Sequence, residues 1–339
     1  MGTASGSAAD VKIDQRLVAA DEAEIRLDRW FRRHFPGVTQ GTIERLCRTG
    51  QVRVNGRRAQ GATRLEPGQA VRVPLILPQT PPPPPAAPDP AAVAELAGRI
   101  LYRDNSLLVL DKPAGLPVQG GPGITRHLDG MLEALRLGAA ERPRLVHRLD
   151  QDTSGVLVLA RTAAAAAKLA RAFRGREVKK LYWAVVVGSP PSPEGTIDLP
   201  LIRTRDHRFG RTTVGAAGEG ARAITGYRTR DHATGRFSWL ELAPLTGRTH
   251  QLRVHCAALG IPILGDPTYG GTKAAPSGLP EGLHLLARAL SLPHPEGGEI
   301  SIEAKLPPHM AETFHLLGFR APPPRPPRGP GVGPRGGPA

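Results

Sequence analysis

The chain has 339 residues, 40% apolar and 22% charged, with a formal net charge of +15 and a pI near 10.8. That is enough apolar material for a core and excludes a wholly disordered chain, and at roughly 150 residues per domain two domains are expected. Two cysteines 209 positions apart, Cys47 and Cys256, exclude a disulfide scaffold and a zinc ribbon, and no apolar run approaches the roughly 20 residues that span a bilayer.

Of the 45 cations, 38 are Arg and seven are Lys. GC-rich coding produces such a bias without function, but a pI above about 9 is also the electrostatic footprint of a nucleic-acid binder. No basic amphipathic helix stands out, so a membrane surface is not the expected partner. The stretch from Met1 to Asp14 lacks the apolar segment of a secretory signal, which together with the cysteine usage predicts a cytoplasmic protein.

Residues 1–23 show no periodic pattern and are expected to be a flexible lead-in. A small unit is predicted over 24–77. Leu27, Trp30 and Phe31 stand at i, i+3 and i+4, one face of a short helix that Pro36-Gly37 ends. Thr39 or Thr42 can cap a second helix that turns Ile43, Leu46 and Cys47 inward and Glu44, Arg45 and Arg48 outward. Gly50 closes it, Gln51 to Val54 alternates as a strand, Asn55-Gly56 signals a hairpin, and Ala70 to Val73 closes the unit. From Arg26 to Pro74 there are eleven Arg, no Lys and three acids (Asp28, Glu44 and Glu66), a net +8 in about a seventh of the chain.

Pro81 to Pro85 fix φ and remove backbone donors, so 78–97 is predicted to be a semi-rigid extended linker. The second unit is expected over 98–318. Ile100 to Tyr102 and Leu107 to Leu110 read as two strands around a tight turn, and further strands are predicted at Val156–Leu159, Leu181–Val187, Phe237–Leu242 and Gln251–His255. Ala163 to Phe173 is a helix by propensity. The sum is an α+β fold with a mixed, largely antiparallel sheet. Residues 319–339, with four Arg and no acid from Arg320 onward, are predicted to be a disordered basic tail.

Two polar runs could carry chemistry. In His147-Arg148-Leu149-Asp150-Gln151-Asp152-Thr153-Ser154-Gly155, a polar turn leads into a core strand. Leu149 breaks the kinase His-Arg-Asp string, and Ser154 breaks the Asp-Thr-Gly of aspartic proteases. Asp150 and Asp152 could form a carboxylate pair, although a glycosidase acid and base face their substrate from opposite sides. In the second run, Leu245 to His255, His250 and His255 are five apart, wrong for a helical zinc pair, so no metal is expected. No glycine-rich cofactor loop at a strand–helix junction supports a methyltransferase.

The string Arg45-Leu46-Cys47-Arg48-Thr49-Gly50-Gln51-Val52-Arg53-Val54-Asn55-Gly56-Arg57-Arg58 resembles the S4 RNA-binding domain. That resemblance implies RNA contacts by Arg45, Arg48, Arg53, Arg57 and Arg58. Leu107 to Gly115 with Asp111-Lys112-Pro113, His147 to Gly155, Lys180-Leu181-Tyr182 with Ala184, and Gly247 to His255 through Leu264-Gly265-Asp266 and Tyr269-Gly270 resemble, in order, the motifs of the RluA-type pseudouridine synthases. An S4 domain ahead of this catalytic domain is the arrangement of members that modify large-subunit ribosomal RNA.

The family implies isomerisation of uridine to pseudouridine in RNA, without a cofactor or metal, by a protein expected to be a monomer. The reaction needs one ionised carboxylate, which the resemblance places at Asp150, with Arg248 as its cationic partner; a nearby guanidinium favours the charged form. It likewise implies that Tyr182 packs on the target base and that Arg148 fills the gap left by the flipped uridine. His250, His255 and Asp266 are expected to shape the cleft. Transfer RNA is the alternative substrate, and an inactive S4-domain RNA-binding protein the alternative function.

Overall fold

The computed structural model describes residues 13–74, 89–121, 123–204, 211–216, 218–275 and 278–329. Two compact units emerge, Met1–Ala87 and Pro88–Ala339. Both combine helices with sheets, the α+β class expected. The predicted proline spacer at Pro81–Pro85 lies outside the described residues.

In the first unit, α1 (Leu27–His34) and α2 (Gln40–Arg48) cover a sheet of four strands. Thr39 is the cap of α2, its hydroxyl accepting the Thr42 N–H at 3.3 Å. Asn55 and Gly56 both take positive φ, the geometry a two-residue hairpin requires, between β2 (Arg53–Val54) and β3 (Arg57–Arg58). Leu27, Trp30, Phe31, Ile43, Leu65 and Val71 are fully buried beneath the helices. The expected flexible lead-in is corrected here: β1 (Ile13–Leu17) pairs antiparallel with β4 (Ala70–Pro74). Five residues later in the lead-in, the buried Glu22 carboxylate accepts Trp30 Nε1–H at 2.9 Å and the Ala19 N–H at 3.1 Å. The strand exists because β4 offers an open edge, not because its own polar sequence alternates strongly.

In the second unit, α3 (Pro90–Ala97) falls where linker was expected. Asp89 caps it, its carboxylate accepting the Ala91 N–H, and Ala92 and Leu96 are buried. Then follow β5 (Ile100–Arg103), β6 (Leu107–Lys112), α4 (Leu128–Met131), β7 (Arg144–Leu145), β8 (Ser154–Ala160), α5 (Ala163–Gly175), β9 (Lys179–Val187), β10 (Glu194–Asp198), β11 (Leu201–Arg203), β12 (Thr212–Val214), β13 (Ile224–Ala233) and β14 (Phe237–Pro244). The chain ends through α6 (Gln251–Ala258), β15 (Leu285–Pro293), β16 (Glu299–Glu303) and α7 (Pro308–Leu317). The sheet runs β10-β13-β14-β9-β15-β8-β6-β5, and among the described residues its single parallel pairing is β15 with β8. Leu107, Val109, Val156 and Val158 pack on one face under α5 and α7, while Leu108, Leu110, Leu157 and Leu159 pack on the other under α3 and α4. Alternation along the strands serves both faces, so both are apolar.

Two further expectations are corrected. Gln251–His255 is not a strand but the start of α6, whose residues Gln251 to Cys256 are all buried. A helix covered on every side carries no 3.6-residue stripe, and its polar residues at alternate positions imitate a strand. The predicted tail is anchored as far as it is described: Phe319 is buried, Arg288 donates to the Pro322 carbonyl, and Ser301 and Arg328 exchange backbone hydrogen bonds. Among the described residues no helix is long and apolar enough to cross a membrane.

Candidate active site

The sheet register places the motif residues side by side. Lys112 on β6 pairs with Gly155 on β8, Gly155 with Ala287 on β15, Ala287 with Tyr182 on β9, and Tyr182 with Leu242 on β14. Neighbouring strands lie about 4.8 Å apart, so this row carries Tyr182 to within two strands of the loop that precedes β8. That loop holds Asp150. Leu149 is buried in the core below it, while Arg148 and Asp150 face a cavity of about 1120 Å³ that Tyr182 and Arg248 also line. The four residues expected at the catalytic centre therefore share one cavity. Asp152 is exposed and does not line it, which leaves no carboxylate pair there.

Two devices hold the Asp150 loop. Lys112 is fully buried, and its ammonium donates to the carbonyls of Pro113, Leu116 and Gln151 at 2.8, 2.9 and 2.8 Å. The residue after Asp150 is thereby tied to the turn after β6. Burial pushes the Lys112 amine down to about 8, against the pull of the Asp152 and Asp150 charges. Gly155 has φ +105, and a Cβ there would run into the Ala287 carbonyl oxygen. Only glycine lets β8 approach β15 so closely just beyond the loop.

His147 opens the loop. Its ring stacks on Phe173 at 4.5 Å and its Nε2 accepts the Val158 N–H at 2.9 Å, so it is held neutral. Burial, then the Lys180 charge, push it down to about 3. Tyr182 packs between two apolar clusters, and burial, then the Asp150 charge, raise its phenol well above the ordinary value. It stays neutral, with a ring face available for a base.

Among the described residues no guanidinium lies within 4.0 Å of Asp150, neither that of Arg248, expected there, nor any other. Arg248 is exposed, its Nε donates to the Arg222 carbonyl at 3.2 Å, and among the described residues it makes no ion pair. The buried cation is Arg253, on the first turn of α6 and lining the same cavity. It forms a two-pronged pair with Asp266 at 2.7 and 2.8 Å. Burial alone would favour releasing its proton; the Asp266 hydrogen bonds and the Asp266 and Asp150 charges outweigh it, and Arg253 stays charged. The alternation of Gln251, Arg253 and His255 held the signal: polar side chains recurring in an otherwise apolar segment need buried partners. The cavity also collects Arg174, Arg176, Lys179 and Lys180, none with a carboxylate within 4.0 Å among the described residues.

In the first unit, Arg45, Arg48, Arg57 and Arg58 are exposed and without an acidic partner among the described residues, whereas Arg26, Arg33 and Arg64 are paired with Asp28, Asp21 and Glu24. Arg53 is half-buried and donates to the carbonyls of Gly50 and Gly56, so it braces the hairpin as well as lending it charge. Four unpaired cations thus stand on α2 and the hairpin, and Arg29 and Arg32 add two more on α1.

Residues 106–258 match the RNA pseudouridylate synthase family and residues 25–71 match the S4 domain. An uncharacterised RNA pseudouridine synthase of Synechocystis is 34% identical over 318 residues, covering 90% of this chain and 93% of the relative. Ribosomal large subunit pseudouridine synthase C of Escherichia coli is 37% identical over 304 residues, covering 85% and 92%. The solved structure of human RNA pseudouridylate synthase domain containing 4 superposes with a TM-score of 0.58 at 32% identity, over 68% of this chain and 97% of that one. With motifs, fold and relatives in agreement along nearly its whole length, the chain belongs to the RluA-type RNA pseudouridine synthases that carry an N-terminal S4 domain, and is an intramolecular isomerase.

Proposed function

We propose that this synthase isomerises uridines of large-subunit ribosomal RNA in the cytoplasm, with Asp150 as its catalytic carboxylate. The observation that carries the reading is the single cavity lined by Asp150, Tyr182, Arg148 and Arg248 and rimmed by unpaired cations. The name of the Escherichia coli relative, a ribosomal large subunit pseudouridine synthase, supports the choice of ribosomal RNA, and two free, buried cysteines agree with a reducing compartment.

The chemistry follows from the residues. The N1–C1′ bond of uridine breaks, the base turns, and a C5–C1′ bond forms; C5 loses a proton and N1 gains one, so atoms and charge balance without a redox partner. Asp150 begins the sequence as an anion, either attacking C1′ or removing the 2′ proton, and the Arg253 guanidinium supports that anion in a half-desolvated site. Tyr182 offers an apolar ring face to the base, worth about 1–3 kcal/mol per stacked base. Arg148, exposed beside the cavity mouth, replaces the uridine in its stack, and Arg248 neutralises a flanking phosphate. Arg45, Arg48, Arg53, Arg57 and Arg58 give the first unit its hold on the RNA backbone.

Mapping pseudouridines in total RNA from cells with and without the gene tests the substrate, and loss of a mark in transfer RNA alone would overturn it. Asp150→Asn tests the site: turnover should vanish while RNA binding stays within a few fold, and appreciable turnover by pure variant would remove Asp150 from its role.

A further inference from the structure

His250 has no assigned part in the chemistry, yet its ring lies between Asp150 and Tyr269. It stands at the N-cap of α6 with φ +54, a left-handed conformation that is unfavourable for a non-glycine residue and persists only where the surroundings enforce it. The enforced geometry brings its Nε2 to 3.9 Å from Asp150 Oδ1. On the other side of the ring, Nδ1 lies 2.8 Å from the Tyr269 hydroxyl.

The hydrogen-bond directions settle which ring nitrogen carries the proton. The Thr212 N–H donates to Tyr269 Oη at 3.3 Å, so that oxygen is already an acceptor. Its own hydrogen is directed to its close hydrogen-bond partner, His250 Nδ1. A ring that accepts at Nδ1 bears its hydrogen on Nε2, the nitrogen that faces Asp150. Tyr269 is itself held. Asp266 Oδ1 accepts the Tyr269 and Thr268 N–H groups at 3.1 and 3.0 Å, and the Arg253 and Arg211 guanidinium groups lie over the ring at 5.0 and 5.4 Å. The chain of contacts runs from the buried Arg253–Asp266 pair through Tyr269 and His250 to the carboxylate.

We propose that His250 is a positioning residue for Asp150: a neutral imidazole, locked by Tyr269 into the Nε2–H form, that donates to the carboxylate when RNA closes the site. Catalytic hydrogen bonds are often long before substrate binds and tighten afterwards. The bond would fix which carboxylate oxygen turns to the sugar and would favour the ionised form. This inference rests on Asp150 being the reacting carboxylate. The charged and titratable groups around the ring are Asp150 and Arg148 from the loop before β8, Arg253 from α6, and Asp266 and Tyr269 from the segment after α6.

The test measures single-turnover rate against pH, with RNA affinity, in the full-length protein. His250→Ala should lower the rate ten- to hundredfold at pH 7, the range that a hydrogen bond to a charged group of about 1.5–3 kcal/mol spans, with RNA affinity within threefold of wild type. Its acid limb should move to higher pH by about one unit, because the carboxylate loses a donor that favours its charge. His250→Gln, which can offer an amide N–H in the same direction, should recover most of the rate and the limb. Tyr269→Phe should show a smaller loss with a shift of the same sign, since the freed ring populates both tautomers. A His250→Ala rate within threefold of wild type, or a loss equal at every pH and not relieved by Gln, would overturn the proposal. Asp150→Asn in the same assay separates the two ideas: a dead Asp150 variant beside an unaffected His250 variant removes His250 alone, whereas an active Asp150 variant removes the premise.

Discussion

Lys112→Met removes the ammonium that ties Gln151 to the turn at Pro113–Leu116. Three backbone carbonyls lose their donor, and each unsatisfied group costs about 1–3 kcal/mol. Against this, burial has lowered the amine from 10.5 to about 8, so holding the charge inside the folded protein at neutral pH already costs on the order of 3 kcal/mol. Methionine removes that cost and fills most of the volume. The net destabilisation at pH 7.5 should therefore be about 2 kcal/mol, well short of the three bonds counted alone.

The opposing terms separate with pH. The folded pKa lies below the unfolded one, so between pH 8 and 10.5 the unfolded chain binds more protons and wild-type stability gains as pH rises. The methionine variant lacks that gain, while every other titrating group is common to both proteins. The stability gap, measured by urea unfolding, should widen by about 2 kcal/mol between pH 7.5 and pH 10. Single-turnover activity at pH 7.5 should fall at least about threefold, or some 0.65 kcal/mol of barrier, because the Asp150 loop has lost an anchor. A gap that stays flat or narrows across that range would show that burial does not govern this lysine.

Gly155→Ala combines φ +105 with a Cβ placed against the Ala287 carbonyl and the Leu286 side chain, so it should destabilise by at least about 3 kcal/mol in thermal unfolding; a change below about 1 kcal/mol would mean that β8 can move away from β15 freely. His147 and His284, pushed by burial down to about 3 and about 4, take up protons later in the folded than in the unfolded state. Stability should thus be fully present above pH 6.5 and fall as the pH drops, by about 2 kcal/mol per ring between pH 7 and 5, a loss that His147→Gln should halve. Replacing Arg45, Arg48, Arg57 and Arg58 together by Ala should flatten the salt dependence of RNA binding by about 3 logarithmic units, at about 0.7 per phosphate contact, and leave the single-turnover rate at saturating RNA unchanged. An unaltered salt slope would place the RNA elsewhere than on α2 and the hairpin.

What could be read from the residues was what short-range physics dictates. Leu27, Trp30 and Phe31 declare α1, Thr39 declares the start of α2, and Asn55-Gly56 declares the hairpin because only such residues take two positive φ values in succession. The apolar runs of β6, β8, β9 and β14 are legible because strands buried on both faces are continuous. Three features depend on distant partners and were not legible. β1 is recruited by the free edge of β4, α6 hides its period because it is covered on all sides, and the residues after Phe319 are held by Arg288 and Ser301. The choice between Arg248 and Arg253 belongs to the same class. Both stand in one string, and spacing does not say which is buried; folding that string as a helix buries Arg253 against Asp266 and leaves Arg248 outside.

The position of the site follows from one break in the sheet. Antiparallel neighbours fill the sheet on either side, but β8 meets β15 in parallel through Ser154–Leu286 and Gly155–Ala287, a pairing of two residues. At its other end β8 pairs antiparallel with β7 through Arg144–Ala160 and Leu145–Leu159, and the connection 146–153 between them forms the polar loop that carries Asp150. The junction must be close, which Gly155 allows, and its loop must be held from below, which Lys112 does from the next strand. Tyr182 then faces the loop because it shares the row of Ala287. A slip of one residue between β9 and β15 would turn Tyr182 to the opposite face, beneath α5 and α7, and leave Asp150 without an aromatic neighbour. Register across three strands, set by apolar side chains far from the loop, is thus what brings the Asp150 carboxylate and the Tyr182 ring into one cavity.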